Sequence, residues 1–132
     1  MSQPETSVIQ TRSQQLGTRA FCRLESVDRM TKPDKTAREK YVSFAKRFPA
    51  LVHTCGLAQA VAFAHAKAPD GYLDDLRAVM MSEKNDVNSF DVPSFAAEIR
   101  SAELSEYMRL SRTALEAAGW LKRYAEALLE ND

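Results

Sequence analysis

Ala37, Tyr41, Phe44, Phe48 and Val52 step along the chain by four, three, four and four residues. That period keeps all five on one face of an α-helix and splits them between the two faces of a strand. Pro49 falls inside the stripe. It removes one backbone donor and crowds the preceding turn, so a kink or a restart is expected there. Gly56 closes this arm at a position suited to a left-handed C-cap. Leu57 then opens an alanine-rich helix to about Lys67, whose small side chains let a neighbouring helix approach closely.

The same period recurs elsewhere. Ile9, Leu16, Ala20, Leu24 and Val27 give a first helix, capped by Thr6 or Ser7 and running to about Met30, with Arg19 and Arg23 off its stripe. Thr31-Lys32-Pro33 stops it, and Asp34 starts the next. Pro69-Asp70-Gly71 marks a turn. A fourth helix, about Tyr72–Lys84, buries Leu73, Leu76, Val79 and Met80. Residues 82–94 are polar and turn-rich, although Asp91 and Pro93 suit the opening of a short helix to about Ala102. A long last helix is expected from about Leu104 to Glu130. No strand-like alternation is present. The expectation is a single all-α domain over residues 1–132, a compact bundle of five to six helices with a frayed tail at residues 1–5.

Composition agrees. Hydrophobic residues at 45% and charged residues at 27% are those of a globular chain rather than a disordered one. No apolar run approaches the ~20 residues that cross a membrane, and the polar N-terminus is not a signal peptide. Cys22 and Cys55 lack ligand or redox spacing, which points to a reduced, cytoplasmic protein.

Net charge is zero but uneven. Residues 1–50 hold ten Lys/Arg and five Asp/Glu, whereas residues 51–132 hold eight and thirteen. Such separation suits head-to-tail stacking of copies or a basic surface facing a polyanion, and it also arises from ordinary scatter on solvated helix faces.

Motifs of catalysis are missing: no glycine-rich phosphate loop, zinc pattern or nucleophile elbow is present. His53 and His65 are the only histidines, and His53 with Cys55 would need further ligands to hold a metal. Asp74 and Asp75 diverge by about 100° on a helix and cannot share one ion or proton. They read as acids favoured in a first helical turn. The chain does not read as an enzyme, and no cofactor is implied.

Basic faces stand out instead. Lys35, Lys40, Lys46 and Arg47 lie opposite Tyr41, Phe44 and Phe48, with Arg38 to one flank and Glu39 interrupting. Arg109, Arg112 and Arg123 fall together on the last helix, opposite Tyr107, Leu115, Ala118, Leu121 and Ala125. Glu116 lies among them, at i,i+4 from Arg112. Such faces either hold phosphates without reading sequence or are the solvated sides of amphipathic helices. Trp120, beside Tyr124, either anchors a partner or forms a partly buried core edge. Gly119 next to it suits a close helix crossing. Gln59 either ties helices together inside the subunit or reaches across a subunit boundary.

Three blocks carry a family resemblance. They are Lys40-Tyr41-x-Ser43-x-x-Lys46-x-x-Pro49-x-Leu51-Val52, then Gly56-Leu57-Ala58-Gln59-Ala60-x-Ala62-Phe63, then Glu106-Tyr107-Met108-Arg109-Leu110 followed by Ala114-Leu115 and Trp120 to Ala127. In this order, over about residues 10–130, the chain resembles the small subunit of the type III-B CRISPR effector, the Cmr or RAMP-module complex. Tyr124 stands where that family has Phe as often, and residues 82–94 match nothing in it. The resemblance implies an all-α bundle without catalysis of its own. It implies stacking beside the backbone subunits, contact with copies of itself and with the large polymerase-like subunit, and help in holding target RNA paired to a guide. Lys40, Lys46, Arg47, Arg109, Arg112 and Arg123 then become candidates for RNA or subunit contact. Gln59, Trp120 and Tyr124 become candidates for partner contact. The competing expectation is a helical adaptor that binds protein only. A DNA-binding module would want a polar recognition helix, and the helix after Gly56 is too apolar for that.

Overall fold

The computed structural model describes residues 10–81 and 92–130. Among them the chain forms six α-helices and no strand: α1 Arg12–Thr31, α2 Lys35–Cys55, α3 Leu57–Lys67, α4 Tyr72–Met80, α5 Val92–Ser101 and α6 Leu104–Tyr124. A single π-helical turn, Ala125–Leu129, follows α6. The all-helical expectation is met.

Helix α1 begins later than the sequence suggests. Thr11 caps it in a reciprocal box with Gln14: the Thr11 Oγ1 accepts from the Gln14 N–H at 3.0 Å, and the Gln14 side chain accepts from the Thr11 N–H at 2.8 Å. The box satisfies two donors that no helical carbonyl can reach. Thr6, Ser7, Ile9 and the expected tail at residues 1–5 lie outside the described residues. Helix α2 runs unbroken through Pro49, so the expected restart does not occur. Helix α4 ends at Met80, with Met81 already extended at φ −111° and ψ 148°. That is well short of the Lys84 expected from sequence. Residues 82–91 of the expected polar loop lie outside the described residues, and α5 already begins at Val92.

The core grows from the α2 stripe. Tyr41, Phe44, Phe48 and Val52 are buried, and Tyr72 inserts among the first three. Its ring meets Phe44 at 5.1 Å, Phe48 at 5.4 Å and Tyr41 at 5.6 Å, each edge to face. These are favourable geometries for ring quadrupoles. Gly71, at φ +91°, supplies the left-handed turn that starts α4 one residue before Tyr72. Leu73, Leu76, Val79 and Met80 are buried as their spacing predicts. Helix α1 packs mainly against α6 and α4.

The close helix crossing expected at Gly119 lies elsewhere. A Cβ at Gly119 would meet nothing within 4 Å, so no close crossing explains it. The close approach is at Gly17 on α1, where a Cβ would stand 3.0 Å from the Trp120 ring.

Polar ties complete the frame. Asp75 is 4% exposed and accepts from the Arg23 Nε at 2.8 Å and from the Tyr41 hydroxyl at 2.5 Å. Burial pushes its carboxyl above the ordinary value, and the two donors oppose that push. Asp75 therefore joins α1, α2 and α4, where the sequence suggests only a first-turn acid. Arg19, on the same side of α1, donates from Nε to the Val79 carbonyl at 3.0 Å.

Candidate nucleic-acid interface

Helix α2 is phased by Asp34, whose carboxylate accepts from the Ala37 N–H at 3.1 Å. An N-cap fixed there sets which side chains share a face. The face carrying Lys35, Arg38, Val42 and Lys46 meets the C-terminal turn, and between them lies an open groove of about 740 Å³. Five cations line it, Lys32, Lys35, Arg38, Lys46 and Arg47, against two carboxylates, Glu39 and Glu130.

Arg38 forms the floor. Its side chain is only 13% exposed and pairs with Asp28 at 2.7 Å. Its Nε and Nη2 donate to the carbonyls of Leu129 and Leu128, both at 3.0 Å. A planar fork is needed to reach both carbonyls at once. The sequence gives Arg38 only a flanking place, because its partners lie 90 and 91 residues away.

The rim is looser. Lys46 Nζ donates to the Glu130 Oε2 at 2.8 Å, which raises the ammonium above its ordinary value. Lys35 with Glu39 and Lys32 with Asp28 stand 4.0 Å apart across exposed helical turns. Arg47 lies over the Phe44 ring at 5.9 Å and has no ion pair among the described residues. Exposed pairs of this kind contribute about 0–1 kcal/mol each. An incoming phosphate can therefore exchange with their carboxylates.

The structure separates the remaining candidates. Lys40 is exposed but lines a different groove, of about 730 Å³, shared with Arg23 and with Asp34, Asp70, Asp74 and Asp75. Arg109 is held by Glu106 at 2.6 Å, one turn back on α6. Arg112 and Arg123 are exposed and line neither groove. The Arg112–Glu116 pair expected within α6 does not form. Glu116 instead accepts from the Arg12 Nη2 of α1 at 2.9 Å, which lowers its carboxyl from the ordinary value. Gln59 is exposed, so it does not tie helices together.

Trp120 is half-buried. It stacks on Tyr124 at 5.6 Å, and Tyr124 meets Phe21 edge to face at 5.4 Å. With Gly17 beneath it, Trp120 packs one side against the core.

The second and third sequence blocks also meet in space. Gly56, at φ +86°, ends α2 through its N–H to the Val52 carbonyl at 2.8 Å. Its own carbonyl accepts from the Ala60 N–H at 3.0 Å and opens α3. Glycine has no side chain to cap with, and the Tyr107 hydroxyl of α6 accepts from the Ala58 N–H at 3.0 Å instead. Nothing local marks this partnership, because the two residues are 49 apart.

No group of three or more His, Cys, Asp or Glu is placed to hold a metal among the described residues. No helix among them is long and apolar enough to cross a membrane.

An all-helical protein with a cationic groove is the class that fold and site define. The family model described as "CRISPR-associated protein (Cas_Cmr5)" matches residues 12–128. The chain is 34% identical over 125 residues to "CRISPR system Cmr subunit Cmr5" of Thermus thermophilus, covering 92% of this chain and 99% of that one. It also superposes on the X-ray crystal structure of a CRISPR-associated Cmr5 family protein from Thermus thermophilus. There the TM-score is 0.73 at 34% identity, over 92% of this chain and 100% of that chain. The chain belongs to the Cas_Cmr5 family, as its three sequence blocks indicate.

Proposed function

We propose that this protein is a non-catalytic small subunit of an RNA-guided type III-B CRISPR effector, working in the cytoplasm in antiviral defence. In this reading it stacks beside the backbone subunits and the large polymerase-like subunit, together with copies of itself, and helps hold target RNA. Membership of the family supports the assembly. The observation that carries the RNA reading is the groove, where Lys32, Lys35, Lys46 and Arg47 stand exposed along one rim.

The mechanism is electrostatic. Lys46, Arg47, Lys35 and Lys32 neutralise successive phosphates and release condensed counterions, with no base read. Pairing with the guide supplies sequence specificity. One copy binds weakly, and stacked copies add avidity. Lys40, Arg109, Arg112, Arg123 and Gln59, exposed on other surfaces, are candidates for contact with neighbouring subunits.

A second reading, an adaptor that binds protein only, draws on Leu104 and Met108. They are 74% and 51% exposed and lie one turn apart on α6. Affinity purification from the native host separates the two. A multi-subunit particle carrying short guide RNAs is expected, whereas protein partners without RNA would favour the adaptor. Within the reconstituted particle, Lys46→Glu with Arg47→Glu is expected to weaken target-RNA retention. The salt slope should fall by about 0.7 for each phosphate no longer neutralised. Retention unchanged by the double reversal would overturn the groove as an RNA site.

A further inference from the structure

The cationic groove already contains an acid, and the fold builds it in. Arg38 grips the carbonyls of Leu128 and Leu129, the two residues immediately before Glu130. The π turn Ala125–Leu129 brings Leu129 into the core at 3% exposure and leaves Glu130 at its end. The Glu130 carboxylate then sits 2.8 Å from Lys46 Nζ. A largely buried guanidinium thus fixes the backbone, while the Glu130 side chain stays 44% exposed.

We propose that Glu130 is an internal competitor for RNA phosphate in this groove, occupying Lys46 until a phosphodiester chain displaces it. The proposal rests on the reading of the groove as an RNA-backbone site. A single phosphate arriving at Lys46 must replace a carboxylate already hydrogen-bonded there and gains little. A chain whose neighbouring phosphates engage Lys32, Lys35 and Arg47 at the same time gains interactions that Glu130 cannot match. The acid therefore selects for extended polyanions over short ones, and it lowers the affinity of a lone subunit for stray RNA.

The test measures binding of fluorescein-labelled single-stranded oligouridylate by the full chain at low salt, across a salt series. It compares wild type with Glu130→Gln, Lys46→Gln, the two combined, and Lys46→Glu with Arg47→Glu. Circular dichroism verifies that each variant is folded. Glu130→Gln is expected to bind about two- to fivefold tighter, the range that breaking one exposed ion pair allows. Its salt slope is expected to stay near that of wild type, because Lys46 neutralises the same phosphate in both complexes. The gain in affinity should vanish in the Lys46→Gln background, which a merely structural role for Glu130 would not predict. Unchanged binding by Glu130→Gln, with weaker binding by the double charge reversal, would overturn the competitor and leave the RNA groove standing. Binding indifferent to every one of these variants would overturn both.

Discussion

At the scale of single residues, the polar groups placed inside the core carry the most information. Tyr72 is fully buried, yet its hydroxyl finds no hydrogen-bond partner among the described residues. An unsatisfied buried hydroxyl costs about 1–3 kcal/mol. Tyr72→Phe is therefore expected to leave stability unchanged or raise it by up to about that amount, read as the urea midpoint at neutral pH. The pH dependence has a definite sign. Burial, with the Asp75 carboxylate nearby, pushes the Tyr72 phenol well above its ordinary value of 10.0. The folded state thus keeps a proton that the unfolded chain gives up above that pH, and stability falls as pH rises through it. Tyr41 is shifted the same way, chiefly by burial. Thermal melts between pH about 9 and 11 are expected to show a shallower loss for Tyr72→Phe than for wild type. An identical slope would mean that the hydroxyl is not buried as described.

At the scale of helices, sequence periodicity locates the buried faces well and their junctions poorly. Every core residue expected on α4 is buried, and the α2 stripe holds from Tyr41 to Val52. Apolar spacing is a local property, so one chain reports it directly. Crossing points depend on which helix lies opposite, and that is where expectation and structure part. Gly119 neighbours Trp120 in sequence, whereas Gly17 neighbours it in space. This yields a paired prediction. Gly119→Ala has open room for its methyl group and is expected to stabilise by about 0.5–1 kcal/mol through helix propensity. At Gly17 the same gain is opposed by pressing a methyl onto the Trp120 ring, an overpacking cost of about 1–3 kcal/mol. The two variants compared by denaturant midpoint should therefore differ in sign or clearly in size.

At the scale of the molecule, segments far apart in sequence meet. Arg38 ties α1 through Asp28, its own helix, and the C-terminal turn through Leu128 and Leu129. Arg38→Lys keeps the charge and loses the fork. We expect a loss of about 1.5–3 kcal/mol, the range for hydrogen bonds to charged groups, with faster hydrogen exchange confined to residues 125–130. Unchanged exchange there would mean that the turn is held by its apolar contacts alone. The candidate site is half legible in the sequence for the same reason. Lys46 can be read from helix phase, since it projects opposite the α2 core stripe, whereas Arg47 flanks the stripe and lies over the Phe44 ring. Lys40, similar in the sequence, belongs to another groove once α1 and the α3–α4 turn are in place. Glu130 and the floor formed by Arg38 need the C-terminus to fold back on α2, which no local pattern announces.

One consequence follows from the joint at Gly56. Its N–H finishes one helix and its carbonyl begins the next, so no spacer separates them. An insertion or deletion of a single residue there would break both terminations together. It would also rotate α3 by about 100° relative to α2 and carry Ala58 away from the Tyr107 hydroxyl. Length variation between relatives should therefore be tolerated at other connections and excluded at this elbow, whose register is as much a specification as its sequence.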